Sequence, residues 1–131
     1  MRAVILSLTL LAATAAHAQT TMSGQEFEDY ATGKTLTYAS DGQVYGVEQY
    51  LPNRRVRWAF IDDTCRIGHW YEDAGEICFV YEHDATPQCW TFELQGGKLM
   101  ARFVSDLPGT ELKEVQQTTE PLACTGPDVG V

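Results

Sequence analysis

The sequence predicts an all-β protein, in which an antiparallel meander of about eight strands forms a small barrel or a sandwich, preceded by one short N-terminal helix. Three observations lead to this prediction. Hydrophobic and polar side chains alternate from about residue 35 onward, turn signals recur about every 8–12 residues, and no helical stretch separates the strands. The last observation excludes βαβ units and therefore a parallel sheet.

The chain has 131 residues, 18 acidic against 9 basic, and a net charge of -9. This length allows one domain of ordinary size, which we place at residues 19–131. The negative charge repels phosphate, so the sequence argues against nucleic-acid binding.

The first 18 residues have the features of a signal peptide. Arg2 precedes a small and apolar run over residues 3–16, and Ala16-His17-Ala18 has the small-x-small form of a cleavage site before Gln19. The run is shorter than the ~20 residues that span a bilayer. We therefore expect no transmembrane anchor. Because no cysteine follows the run until Cys65, we also expect no lipid anchor. The sequence predicts a periplasmic or secreted protein.

Four cysteines lie after this segment: Cys65, Cys78, Cys89 and Cys124. An even number of cysteines in an exported protein predicts two disulfides. No Cys-x-x-Cys pair is present, and the spacing fits no zinc ribbon.

Three disulfide pairings are open, and the sequence favours Cys78–Cys89 with Cys65–Cys124. The first would staple a hairpin, and the second would tether the tail, residues 119–131, to the sheet. A turn centred near Ala85 would place Tyr81 opposite Cys89, so the favoured pairing requires a bulge or a different turn.

The N-terminal helix begins at a capping box, because Glu26 follows Ser23 by three residues. Phe27 and Tyr30 fall on one helical face, and Gly33 ends the run. A helix of about eight residues is marginal alone, so it must dock through Phe27 and Tyr30.

Period-two segments then predict eight strands, over residues 35–39, 43–51, 55–61, 65–71, 77–82, 89–94, 99–104 and 111–117. Residues 83–87 are predicted to form a turn. In the third strand, Trp58 and Phe60 share one face, and Arg55 and Arg57 lie on the other.

The sequence offers little for catalysis, and we predict a protein that is not an enzyme. It contains no nucleophile elbow, no HExxH motif, no phosphate-binding loop and no dinucleotide fingerprint. His69 lies in a strand, and His83 lies between two carboxylates at a turn. Asp62-Asp63 lacks the oxygen spacing of a calcium loop. We expect no cofactor and no metal.

Arg54, Arg55 and Arg57 form the only basic cluster. They are interpreted either as partners in cross-strand salt bridges or as a docking patch for an anionic partner, because arginine binds carboxylates through two parallel hydrogen bonds.

Three tryptophans, Trp58, Trp70 and Trp90, stand on alternating strands. They form either core or the wall of a ligand cavity, since small barrels hold one small molecule and aromatic walls suit apolar molecules or sugar faces. Tyrosine hydroxyls would rim such a site, from Tyr45, Tyr50, Tyr71 and Tyr81.

Three strand motifs form a recognisable set: Gly68-x-Trp70, Ile77-Cys78-Phe79 with Tyr81, and Cys89-Trp90-x-Phe92. This set resembles a family of small secreted proteobacterial proteins of uncharacterised function, whose shared core is a Gly-x-Trp strand, a Cys-Phe strand and a Cys-Trp strand.

Two earlier segments, Gly33-Lys34-Thr35-Leu36 and Gly46-x-Glu48-x-Tyr50, are also similar to that family, so the resemblance spans residues 27–103. It implies no activity and no catalytic residues. The Gly-x-Trp strand is also similar, more weakly, to bacterial metallopeptidase inhibitors and lipocalins.

These observations support two functional hypotheses, and a hydrolytic enzyme that uses His69 or His83 is the least favoured alternative. In the first, an aromatic cavity binds a small apolar or sugar-like ligand. In the second, the protein binds an envelope protein, as an inhibitor or assembly factor of an envelope hydrolase. The sequence leaves the ligand, the partner and the oligomeric state open.

Overall fold

A computed structural model describes residues 20–61, 64–104 and 110–124; the predicted signal peptide and Asp62-Asp63 lie outside them. The all-β prediction is confirmed, and the architecture is a barrel. Each strand pairs antiparallel with the next, and β1 pairs with β8 to close the barrel. The elements are α1 (Gly24–Ala31), β1 (Thr35–Ser40), β2 (Gln43–Leu51), β3 (Arg55–Phe60), β4 (Arg66–Asp73), β5 (Glu76–Tyr81), β6 (Asp84–Gln95), β7 (Lys98–Phe103) and β8 (Glu111–Thr118).

Helix α1 begins at the predicted capping box. The Ser23 hydroxyl accepts a hydrogen bond from the Glu26 backbone N–H at 3.1 Å, and the Glu26 carboxylate accepts one from the Ser23 N–H at 2.8 Å. Two otherwise unpaired backbone donors are thereby satisfied at the helix start.

The helix closes one end of the barrel with the Phe27 side chain. Phe27 is fully buried, and its ring contacts four other aromatic rings at centroid distances between 4.4 and 6.3 Å: Tyr50, Trp70, Phe79 and Phe92. We call this end the helix end and the opposite end, near the β1–β2 and β5–β6 turns, the cavity end.

Two polar contacts hold the helix in place. The Tyr30 hydroxyl donates to the buried Glu114 carboxylate at 2.6 Å, and Arg54 pairs with Glu28 at 3.1 Å. The Arg54 guanidinium also lies 4.6 Å from the centre of the Trp70 ring. The helix is therefore fixed to β8 and to the β2–β3 connection as well as to the core.

Strand β6 begins earlier than the sequence suggested. Tyr81 pairs with Asp84, so the turn consists of Glu82 and His83 and does not extend to Pro87. The register then shifts between Phe79 and Tyr81. The extra residues on β6, Pro87 among them, form an irregular strand segment, which is where a proline is tolerated in a sheet.

Both disulfides have the pairing that the sequence favoured. The register shift brings Cys78 opposite Cys89, and the two are bonded. Cys65 is bonded to Cys124 across 59 residues of sequence. Two disulfides indicate an oxidising environment outside the reducing cytosol. Among the described residues, no helix is both long and apolar enough to cross a membrane.

The contacts of Phe27 give the first testable prediction. We expect Phe27→Ala to lower the free energy of unfolding by about 3–5 kcal/mol, because it removes a buried ring and leaves a cavity. Urea denaturation with the disulfides intact measures this loss. Tyr71→Ala is the control, because Tyr71 is exposed on the barrel surface, and it should cost about 1 kcal/mol or less. Equal losses of unfolding free energy in both variants would show that Phe27 of α1 does not stabilise the barrel interior.

Candidate functional site

A cavity of about 100 Å³ lies inside the barrel at the cavity end. Its inner part is formed by buried residues that include Tyr38, Tyr50, Phe79 and Phe92. Its outer part includes exposed aromatic side chains, so the cavity reaches the protein surface.

The three tryptophans divide between the core and the cavity. Trp58 and Trp90 line the cavity and are partly buried. Trp70 is buried at the helix end against Phe27, and it is not part of the lining.

The tyrosines divide in the same way. Tyr45, Tyr50 and Tyr81 line the cavity, whereas Tyr71 lies exposed on the outside of β4. Alternation along a strand explains the difference, because Tyr71 follows the inward-facing Trp70.

Two glycines make room for the aromatic walls. A Cβ atom on Gly46 would overlap the Trp58 ring, and one on Gly68 would lie 2.7 Å from Cδ1 of Tyr81. Each ring therefore lies against the bare backbone of the neighbouring strand. This packing explains why glycine stands at the first position of the Gly46-x-Glu48 and Gly68-x-Trp70 motifs.

A β-bulge turns one more aromatic side chain towards the cavity. The β1–β2 register shifts between Tyr38 and Ala39, where Tyr45 is the unpaired residue of β2. Its ring centre lies 5.9 Å from that of Trp58 and 5.4 Å from that of Phe60. These three rings form an aromatic rim on one side of the cavity.

The most unusual residue of the cavity is Glu48. Its side chain is 2% exposed and lines the cavity. The Tyr81 hydroxyl donates to its carboxylate, with distances of 3.0 and 3.2 Å to the two oxygens. Burial raises the pKa of Glu48 to about 8, although the hydrogen bond from Tyr81 acts in the opposite direction. A pKa raised in this way favours the protonated, neutral form of the carboxyl group at neutral pH.

A second polar pair lies beside Glu48. The hydroxyls of Tyr38 and Tyr50 are 2.8 Å apart, and both residues are buried. Burial is the main cause that raises the pKa of each phenol, and the nearby Glu48 adds to it. The cavity thus carries a neutral hydrogen-bonded pair within a mostly aromatic lining.

The two histidines of the described chain lie in different places. His83 is exposed and lines the cavity mouth, with its ring 6.2 Å from that of Tyr81. His69 is exposed on the outside of β4, opposite Arg55 in the β3–β4 register. The structure therefore does not bring them together.

Among the described residues, one group has the spacing of metal ligands: Glu76, Cys78 and Cys89. Its two sulfur atoms are joined in a disulfide. Since metals bind the thiolate form of cysteine, this group does not provide a metal site.

The three arginines have separate environments. Arg54 contacts α1 and Trp70, as described above. Arg57 donates to Gln49 at 3.4 Å and to the Cys124 sulfur at 2.9 Å. Arg55 is exposed, in a surface groove that His69 and Glu82 also line. Arg54 and Arg57 hold parts of the same chain together, which leaves Arg55 as the exposed member of the predicted patch.

Sequence reasoning noted Glu48 as part of a motif but gave it no role. The available signal was its position between Gly46 and Tyr50 on one face of an alternating strand. An acidic residue on an inward face is costly to bury, so that position marks a candidate site.

No family model matches the chain, and neither a curated protein nor a solved structure is significantly similar to it. The candidate site therefore depends on the geometry and chemistry of the cavity itself.

The raised pKa of Glu48 predicts a specific pH dependence of stability. The unfolded chain releases the proton near the ordinary value of 4.5, whereas the folded protein keeps it until about 8. The folded state binds more protons in this window, so the free energy of unfolding falls as pH rises through it and levels off above it.

Glu48→Gln removes this titration. Between about pH 5.5 and pH 8.5, we expect the free energy of unfolding of wild type to fall by about 3 kcal/mol relative to that of the variant. A pKa shift of this size requires such a loss. Urea denaturation of both proteins at the two pH values measures it. Parallel pH profiles for the two proteins would contradict the assignment to Glu48.

Proposed function

We propose that this chain is an exported, non-catalytic binding protein that holds one small apolar or sugar-like molecule in its barrel cavity. The observation that carries the proposal is the composition of the cavity wall. Trp58 and Trp90 offer aromatic surface, and Tyr81 and Glu48 place polar atoms among the aromatic rings. A mostly aromatic cavity with a few convergent polar groups is the typical form of a small-molecule site.

The size of the cavity supports a ligand with about one ring. Its volume of about 100 Å³ is of the same order as a dry protein cavity of roughly 150 Å³ that binds benzene. Because the cavity reaches the surface, a longer molecule would extend beyond the rim.

The difference between the two barrel ends also supports binding. At the helix end, the fully buried Phe27 packs against four aromatic rings, whereas the cavity end leaves space beside buried aromatic rings. Unfilled volume in a core costs stability. A ligand that occupied this space would restore the lost contacts.

The predicted signal peptide and the two disulfides support an exported location. Both are expected of a protein that matures in the periplasm or is secreted. We place its function there.

A partner protein is the second candidate function, and one observation favours it. Four exposed hydrophobic side chains lie at the cavity end, each at least 39% exposed: Val44, Tyr45, Phe60 and Ile61. Apolar side chains exposed together are common at protein interaction sites. An envelope protein that bound this end would cover the cavity mouth.

Binding is tested by NMR with single-ring probes of positive, zero and negative charge at about 1 mM, a concentration at which weak sites are partly filled. We expect at least one probe to shift the indole N–H signals of Trp58 and Trp90. The Trp70 indole is an internal control and should shift least, because it lies outside the cavity lining.

Cavity-filling variants complete this test. Ala101 and Leu112 face each other on β7 and β8 and both line the cavity. Ala101→Leu, or independently Leu112→Phe, should abolish the probe shifts while the melting temperature stays close to that of wild type. If no probe moves either indole in wild type, the small-ligand function is wrong, and salt-sensitive capture of an envelope protein becomes the test of the second candidate.

A further inference from the structure

We propose that the cavity selects a protonated amine, with the ammonium group bound by the Glu48 carboxylate and the apolar body held between Trp58 and Trp90. This inference rests on the proposed binding function and names the ligand class: small organic cations with one aromatic or aliphatic body.

Glu48 has unused hydrogen-bonding capacity in its ionised form. An ionised carboxylate has about four acceptor positions. Among the described residues, the donor that reaches it is the Tyr81 hydroxyl, which has a single proton to give. A primary ammonium group offers three donors and would form charge-assisted hydrogen bonds with the remaining positions.

The aromatic wall also favours a cation. The faces of tryptophan, tyrosine and phenylalanine rings attract cations, most strongly where water is excluded. The rim of Tyr45, Trp58 and Phe60, with Trp90 also in the lining, surrounds a cavity that contains a carboxyl group. Both features favour a ligand of positive charge over a neutral ligand of the same shape.

The overall charge acts in the same direction. At -9, the protein raises the local concentration of cations near its surface. This long-range attraction is weak compared with the two local contributions, but it has the same sign.

Several titratable or charged groups face Glu48 or share its cavity: Tyr38 of β1, Tyr50 of β2, Arg66 of β4, Tyr81 of β5 and His83 of the β5–β6 turn. The three phenols stay neutral, because their pKa values lie well above 10. Arg66 belongs to the same cross-strand row as Glu48, since Trp58 pairs with both, and it adds a positive charge to the lining that acts against a cation. His83 is the remaining group whose charge must be controlled in an experiment.

Binding of an amine must be coupled to proton release. The pKa of Glu48 is about 8 in the free protein, so below this value the carboxyl group loses its proton when the cation binds. Affinity should therefore rise about tenfold per pH unit below pH 8 and level off above it, until the pH at which the amine itself loses its proton.

The experiment compares benzylamine with benzyl alcohol and benzoate, which have one ring and a positive, neutral or negative substituent. Titration calorimetry in two buffers of different ionisation enthalpy counts the protons. We expect benzylamine to bind at least tenfold more tightly than either analogue at about pH 8, with about one proton released per ligand near pH 6.5.

Glu48→Gln is the decisive variant, because it keeps the shape and an acceptor for Tyr81. It should weaken benzylamine binding at least tenfold at about pH 8 and remove the pH slope, with benzyl alcohol affected less than about twofold. His83→Gln should keep the slope. If Glu48→Gln does not fold, the number of protons released by wild type still tests the amine inference. Tyr81→Phe should then move the pH dependence of benzylamine affinity to higher pH, because it removes the hydrogen bond that lowers the pKa of Glu48.

The outcomes separate the two proposals. Equal binding of benzyl alcohol and benzylamine, or benzoate binding that weakens as pH rises, would overturn the amine inference and leave the cavity function standing. If none of the three probes binds and none moves the Trp58 or Trp90 signals, both proposals fail.

Discussion

The contact of Phe27 with four aromatic rings is the interaction on which the rest of the structure depends. An eight-stranded barrel encloses an interior that side chains must fill, and this barrel fills one end with a ring from outside the sheet. The helix that carries Phe27 has eight residues and would not persist alone. Its capping box and its contacts through Tyr30 and Arg54 hold it in place, so that the helix end is closed and the unfilled space lies at the other end.

At Glu48, the proposed binding function opposes stability. A leucine or methionine there would fill the barrel without the cost of burying an ionisable group. The chain instead has a carboxyl group whose pKa is raised by burial, next to a tyrosine hydroxyl and an open cavity. A local arrangement that lowers stability without a structural gain is typical of functional sites. The bulge at Tyr45 and the glycines at 46 and 68 belong to the same region.

Much of the fold was predictable because its signals are local. The capping box at Ser23, the strand alternation and the hairpin disulfide Cys78–Cys89 each depend on short stretches of sequence. The division of the tryptophans was not predictable, because Trp58, Trp70 and Trp90 all stand on alternating strands. What separates them is the end of the barrel that α1 occupies, and that is a tertiary contact.

The burial of Glu48 could not be predicted for a related reason. Val47 and Leu51 make the outer face of β2 as apolar as the inner one, so alternation alone did not show which face is buried.

The C-terminal tail explains how the cavity wall is kept rigid although one end of the barrel is unfilled. Residues 119–124 cross the outside of three neighbouring strands. The Glu120 carbonyl accepts from the Thr35 hydroxyl, the Leu122 N–H donates to Gln49, and Arg57 donates to Cys124. Thr35, Gln49 and Arg57 are consecutive partners in the β1–β2–β3 register. The tail therefore ties together the strands whose inner faces carry Tyr38, Glu48 and Trp58.

The disulfide from this tail to Cys65 closes a long loop, a constraint worth about 4 kcal/mol. In the proposed binding function, a wall fixed from outside would spare the ligand the cost of ordering the strands, which lowers the entropic cost of recognition.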